Sequence, residues 1–151
     1  VARAGDTLTY KGDDGNFVPS SAGSIECDIL SIARDETVAR QYIKVAASAG
    51  TNSTALYLVS VAAGDVAQAN LLIASAIQFN ITGTTDVVDG EKHNLRTAYA
   101  VNEARLFVDD VQQGATDTAV ALLNTGFAAT IPAPVSAANQ LIGNIKIKNI
   151  T

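Results

Sequence analysis

The 151-residue chain is poor in the residues that carry covalent, redox and metal chemistry. It has one cysteine, one histidine, no methionine and no tryptophan. A single cysteine excludes an intramolecular disulfide, and one histidine with one cysteine cannot supply the nitrogen and sulfur ligands of a zinc site. Cys27 lies on the apolar side of an alternating run, which predicts a buried thiol. We therefore expect no metal ion and no cofactor.

Charge and hydropathy exclude further classes. The chain has 10 Lys and Arg against 15 Asp and Glu, a net charge of −5, so a general affinity for nucleic-acid phosphates is not expected. The most apolar stretch, residues 66–79, contains polar side chains and is shorter than the roughly 20 residues of a bilayer span. No signal-peptide pattern follows Val1. We expect a cytosolic product without a membrane partner.

Motifs for catalysis are equally scarce. His93 lies in a polar stretch with no neighbouring pattern that would make it a general base. The acidic pair Asp109-Asp110 lacks the spacing of a calcium loop and is typical of a turn. No glycine-rich phosphate loop leads into a helix. The sequence predicts a protein that is not an enzyme and has no small-molecule substrate.

What the chain has in abundance is small aliphatic residues in alternating patterns, within a hydrophobic content of 48%. Alternation of apolar and polar residues is typical of half-buried strands. A central hairpin is predicted across a Gly- and Asn-containing turn, and residues 65–79 are compatible with a helix or with strands. The predicted strands are residues 7–11, 24–33, 38–48, 54–61, 95–108 and 144–149.

Two helices are predicted near the C-terminus. Thr116 or Asp117 would cap the first, and apolar residues at positions 120, 123 and 127 would form its buried stripe. Prolines at 132 and 134 would end it, and a second short helix would cover residues 135–142. The predicted fold class is therefore α+β, an antiparallel sheet with an N-terminal hairpin followed by two C-terminal helices.

We interpret residues 1–151 as a single domain. Residues 62–94 are a candidate insertion, and residues 143–151 are a C-terminal strand or arm. Lysines alternate along this tail, a common protection of a terminal strand against edge-to-edge pairing.

The order of these elements is similar to that of coat proteins of single-stranded RNA bacteriophages, the levivirus type. Residues 96–103 resemble that family's last long strand, residues 116–139 resemble its helix pair with the proline break, and residues 40–61 resemble its central hairpin. The resemblance implies a capsid protein that forms homodimers and then an icosahedral shell around single-stranded genomic RNA. It would be located in a virion assembled in the cytoplasm of a bacterial host.

The resemblance also implies two sets of site residues. In the first, side chains on the inward sheet face contact RNA, with Tyr99 stacking on a base; this set is Arg40, Tyr42, Lys44, Ser60 and Tyr99. In the second, apolar side chains form the core and the dimer interface; this set is Ile43, Val45, Val59, Val120, Leu123 and Phe127.

Two other interpretations of the protein's function remain open. Three Asn-X-Thr/Ser sequons, at Asn52, Asn80 and Asn149, and the alternating C-terminal strand favour an extracellular β-sandwich filament or adhesin subunit. A composition rich in small aliphatic residues is also typical of a phage decoration or tail-tube protein.

Overall fold

A computed structural model describes residues 8–10, 22–31, 40–46, 55–60, 65–73, 76–121, 128–131 and 140–149. Within these ranges the chain forms eleven β-strands. They are β1 Leu8–Tyr10, β2 Ala22–Ser31, β3 Arg40–Ala46, β4 Ala55–Ser60, β5 Val66–Ile73, β6 Ala76–Asp86, β7 Lys92–Ala100, β8 Glu103–Val108, β9 Val111–Asp117, β10 Ala128–Ile131 and β11 Gln140–Asn149.

The described strands form two antiparallel sheets. One has six strands in the order β1-β10-β3-β4-β5-β6, and the other has five in the order β11-β2-β7-β8-β9. Apolar side chains from both sheets form one buried cluster, so the molecule is a β-sandwich. The largest fully buried side chains are Tyr42, Phe79, Ile25, Ile29, Leu95, Leu106, Val87, Val88 and Val108.

The strands follow from the alternation in the sequence. In β7, His93, Leu95, Thr97 and Tyr99 are buried, and the residues between them are more exposed. A strand turns successive side chains to opposite faces, so this pattern places one face on the core and the other in solvent. Cys27 in β2 is fully buried, as predicted.

The strand predicted over residues 95–108 is two strands joined by a tight turn. β7 ends at Ala100 and β8 begins at Glu103, and these two residues pair across the hairpin. Asn102 in the turn has a φ of 60°, in the left-handed region that asparagine tolerates better than most residues. After the turn the buried positions are even-numbered rather than odd-numbered.

Among the described residues of the C-terminal part, 111–117, 128–131 and 140–149 form strands where two helices were predicted, and the α+β fold class is wrong. Thr116 and Asp117, the predicted helix caps, are the last residues of strand β9. The second predicted helix would reach residue 142, but strand β11 already begins at Gln140. Three apolar positions at helical spacing are too weak a signal to outweigh strand pairing. In the described ranges no helix is long and apolar enough to cross a membrane.

Other predicted elements are confirmed. The central hairpin is the antiparallel pair β3–β4. The alternating tail lies in β11, an edge strand that pairs with β2, and its Lys146 forms an ion pair with Glu26 at 2.9 Å. The choice between helix and strands, left open for residues 65–79, falls to strands at 66–73 and 76–79, which lie in the paired strands β5 and β6 of the six-stranded sheet.

One side of the sandwich is closed by a glutamine. Gln113 on β9 is 5% exposed. Its Oε1 accepts hydrogen bonds from the backbone N–H groups of Thr84 (3.1 Å) and Thr85 (3.3 Å), which lie on β6 in the other sheet. Gly114 allows the close approach, since a Cβ there would lie 3.1 Å from the Thr82 carbonyl oxygen. The edges of the two sheets are thereby joined.

Candidate functional site

The outward face of the five-stranded sheet carries a regular array of side chains from β7 and β8. Register places Arg96 beside Phe107, Ala98 beside Arg105, and Ala100 beside Glu103. Directly opposite residues on one sheet face have Cβ atoms about 5 Å apart, so these six side chains are neighbours. We call this surface the outer face.

The outer face contains a pocket of about 270 Å³. Small residues form its floor, and larger polar and aromatic residues surround them, because alanine leaves space where its neighbours rise from the sheet. The lining residues are Ala22, Gly23, Arg96, Ala98, Tyr99, Ala100, Glu103, Arg105 and Phe107.

Arg96 is held in place by an aromatic ring and an exposed acid. Its guanidinium carbon lies 4.1 Å from the centroid of the Phe107 ring, within the range of a cation–π contact. Its Nη2 donates to Asp110 Oδ1 at 3.2 Å. A guanidinium has five N–H donors, so this bond leaves most of them for a ligand.

Arg105 and Glu103 form the opposite rim of the pocket. Arg105 Nη2 lies 2.7 Å from Glu103 Oε1, and the two side chains are 44% and 48% exposed. Such an exposed ion pair adds little to stability. It places a donor group and an acceptor group side by side next to the alanine floor.

A polar network lies next to the pocket on the same face. Asp28 accepts hydrogen bonds from Asn94 Nδ2 at 2.9 Å, from Lys92 Nζ at 2.7 Å, and from Asn144. The bond from Asn94, followed by those from Lys92 and Asn144, holds the pKa of Asp28 well below its usual range. This carboxylate is therefore ionised, and its oxygens already accept hydrogen bonds from within the protein.

The carboxylate of Glu26 also accepts hydrogen bonds from neighbouring side chains. It accepts hydrogen bonds from Lys146 Nζ at 2.9 Å and from Asn94 Nδ2 at 3.1 Å. The bond with Lys146 lowers the pKa of Glu26 and outweighs the opposing effect of burial. Because Lys146 belongs to β11 and Glu26 to β2, the pair also fixes the edge strand to its neighbour.

The only histidine supports the turn that carries Asp110. His93 Nδ1 lies 2.7 Å from Asp109 Oδ2, and its Nε2 lies 3.1 Å from Asp89 Oδ1. Asp109 and Asp110 form the two-residue turn between β8 and β9, with φ values of 50° and 63°. Within the described ranges no group of three or more His, Cys, Asp or Glu side chains is placed to hold a metal ion.

The surroundings of His93 predict a dependence of stability on pH. Burial lowers its pKa, but the hydrogen bonds with Asp109 and then Asp89 outweigh this effect, so the pKa is raised above the ordinary value of 6.5. A group whose pKa is higher in the folded than in the unfolded state stabilises the fold when it is protonated. This contribution is complete below the unfolded-state pKa and is lost as pH rises through the folded-state pKa. We expect the free energy of unfolding to fall as pH rises from about 6 through neutrality.

Urea unfolding at a series of pH values measures this dependence, and His93→Gln is the control that should flatten it. Since His93 is the only histidine, its imidazole proton signals also report the folded-state pKa directly by NMR. A pKa at or below 6.5 would contradict the prediction.

The five residues predicted to bind RNA are divided between the two sheets. Tyr42 is fully buried in the six-stranded sheet, and Ser60 is buried on the neighbouring strand. Tyr99, in the other sheet, is 4% exposed, and burial raises its pKa to about 12. Arg40 and Lys44 belong to β3. The structure brings Arg40 next to Ser60 in register but places Tyr99 in the opposite layer.

The residues predicted for the core and dimer interface have varied positions. Val120 is buried in the core, at 1% exposure, and Val59 on β4 is half-buried. Ile43 and Val45 are residues of β3. Leu123 and Phe127 lie outside the described residues.

The predicted site residues do not include the pocket residues Arg96, Glu103, Arg105 and Phe107. A signal was present, because the apolar residues change from odd to even positions between Tyr99 and Ala104. Such a change of phase near an asparagine indicates a turn. The turn brings the second strand beside the first, where Arg105 and Phe107 face the same side as Arg96.

Comparison with known proteins identifies the fold. Sheep galectin-11 in complex with glycerol has a TM-score of 0.59 at 8% identity, over 98% of this chain and 100% of that one. Domains LG4-5 of the mouse laminin alpha1 chain have a TM-score of 0.65 at 14% identity, over 99% of this chain and 44% of that one. The carbohydrate-binding module CBM66 from Bacillus subtilis has a TM-score of 0.56 at 13% identity, over 97% of this chain and 84% of that one.

No protein-family model and no curated protein sequence matches the chain. These likenesses, together with the two packed antiparallel sheets, show a β-sandwich of the jelly-roll type. At such low identity the likeness establishes the fold alone.

The resemblance to RNA-phage coat proteins is therefore wrong, and so are the functions that it implied. The capsid function, the homodimer, the icosahedral shell and the RNA partner have no support in a jelly-roll β-sandwich. The physical reason lies in the second sheet. A single sheet with short helices would need a partner to cover its apolar face, whereas here two sheets of one chain cover each other.

Proposed function

We propose that this protein is a saccharide-binding β-sandwich module and that the ligand binds in the pocket on the outer face. The observation that carries the proposal is the combination, in one pocket, of an aromatic ring, an alanine floor and an arginine–glutamate rim. The fold is compatible with this role, because one similar structure is a carbohydrate-binding module and another was solved with glycerol.

The chemistry of the pocket suits a sugar ring. A sugar presents hydroxyl groups, which donate and accept hydrogen bonds, and C–H groups, which pack on apolar surfaces. Arg96 and Arg105 supply donors, Glu103 supplies an acceptor, and the ring of Phe107 and the alanines supply apolar contact. The volume of about 270 Å³ lies near the lower end of ligand pockets and suits one sugar unit of a longer chain.

Binding without hydrolysis is part of the proposal. Most glycosidases place two carboxyl groups on either side of the scissile bond. Among the described residues that line the pocket, Glu103 is the only carboxylic acid, and Arg105 pairs with it. Of the functions considered from the sequence, an adhesin subunit built on a β-sandwich agrees best with this arrangement.

The test is a binding screen against a panel of neutral and acidic oligosaccharides, with amide chemical shifts mapped by NMR. We expect ligand-dependent shifts at residues 96–107. The variant Ala98→Trp should fill the floor of the pocket and weaken binding at least tenfold, while the protein stays folded because this position faces outward.

The matched control is Ala76→Trp, which adds the same side chain at an exposed position on the other sheet. It should leave binding unchanged. Absence of binding to every saccharide, or equal binding by the wild type and Ala98→Trp, would refute the proposed function.

A further inference from the structure

We infer that the pocket selects saccharides that carry a carboxylate, with Arg96 as the anchoring residue and Asp110 as an internal competitor for the same guanidinium. This inference rests on the proposed function and names the class of ligand. A planar guanidinium can donate two parallel hydrogen bonds to a carboxylate, a geometry that a neutral hydroxyl cannot accept.

Arg96 is prepared for such a ligand. Its guanidinium carbon lies 4.1 Å from the centroid of the Phe107 ring, and the side chain is 28% exposed, so the ring contact restrains the group while part of it remains accessible. A pre-ordered side chain loses less conformational entropy when a ligand binds. The ring therefore positions the arginine as well as lining the pocket.

Asp110 is a weak partner for Arg96. Its side chain is 89% exposed, and its single described hydrogen bond with Arg96 has a length of 3.2 Å. An ion pair so exposed to solvent contributes little and is screened by salt. A ligand carboxylate that also packs against the pocket can displace it.

Glu26 does not compete in the same way. Register places it directly beside Arg96 across the β2–β7 pair. However, its carboxylate accepts hydrogen bonds from Lys146 on β11 and from Asn94 on β7, it does not line the pocket, and Arg96 acts on it only as a nearby charge. Its negative charge is offset locally by Lys146.

Arg105 adds a second positive charge to the pocket. It lies diagonally from Arg96, two positions before Phe107 on β8, within the roughly 7 to 8 Å of diagonal neighbours. Glu103 offsets one of these two charges, so the lining has one excess positive charge in a chain of net charge −5. A single carboxylate would complement it.

The test compares oligosaccharides ending in glucuronic, galacturonic or sialic acid with their neutral methyl esters, using titration calorimetry at fixed salt. We expect at least one acid to bind tenfold or more tightly than its ester. Arg96→Gln should abolish this difference. Asp110→Asn should strengthen binding of the acid several-fold and leave the ester unchanged, and asparagine suits the positive φ at this position.

The outcomes separate this inference from the proposed function. Equal binding of acid and ester, or binding of neutral sugars alone, with Ala98→Trp still disruptive, would refute the carboxylate inference and leave saccharide binding intact. Binding that is insensitive to Ala98→Trp would refute both. An unchanged or weaker affinity of Asp110→Asn for the acid would refute the role of Asp110 as a competitor.

Discussion

Phe79→Ala is expected to lower the free energy of unfolding by about 3 to 5 kcal/mol, the usual cost of removing a buried phenylalanine ring. Phe79 lies on β6, is 1% exposed, and belongs to the cluster that both sheets share. Removal of its ring leaves a cavity that a rigid sandwich cannot close by a local shift. A domain of this size is stable by roughly 5 to 15 kcal/mol, so the loss is a large share of the total.

Phe107→Ala is the matched control for this prediction. The Phe107 ring is half-buried on the outer face, so its removal forfeits the contact with Arg96 and part of its packing, about 1 kcal/mol. Urea unfolding of both variants, followed by far-UV circular dichroism, gives the comparison. Equal losses in the two variants would show that the core is not organised around Phe79. Phe107→Ala should in addition weaken saccharide binding, which Phe79→Ala should not do in the folded protein.

Gln113→Leu is expected to lower the free energy of unfolding by about 2 kcal/mol despite its similar volume. The substitution removes the oxygen that accepts hydrogen bonds from the backbone N–H groups of Thr84 and Thr85 and from the Thr85 hydroxyl. A donor left unsatisfied in a partly buried position costs roughly 1 to 3 kcal/mol, less where water can reach it. The substitution therefore opens the junction between β6 and β9.

Hydrogen exchange provides a local measurement of the same effect. The amides of Thr84 and Thr85 should exchange faster in Gln113→Leu, while amides of the β2–β7 pair stay protected. Gln112→Leu is the control, because the neighbouring Gln112 is exposed and its side-chain hydrogen bonds in the described region go to Gly114 and Thr116 of its own strand. We expect it to change stability by no more than about 0.5 kcal/mol. Similar exchange in both variants would argue against Gln113 as the bridge between the sheets.

The candidate site shows why the sequence predicts the strands but not the pocket between them. Alternation predicted that residues near Arg96 form a strand, and they do. The pocket, however, depends on the turn at Asn102, which pairs Ala98 with Arg105 and Arg96 with Phe107. Without that turn, Phe107 would be a distant residue on the same strand. The face on which a strand residue lies depends on register, and a shift of one residue reverses it.

The sequence by itself determined several strand features of this protein, although not the strands found where C-terminal helices were predicted. Period-two patterning specified the central hairpin, the buried Cys27 and the lysine-bearing terminal strand, because these features depend on residues close together in the chain. Only the tertiary structure decided the rest. The pairing of β2 with β7 and of β1 with β10 joins segments far apart in sequence, and so it leaves no local pattern. The pairing of β2 with β7 builds the five-stranded sheet, which covers the core within one chain and leaves the outer face open for a ligand.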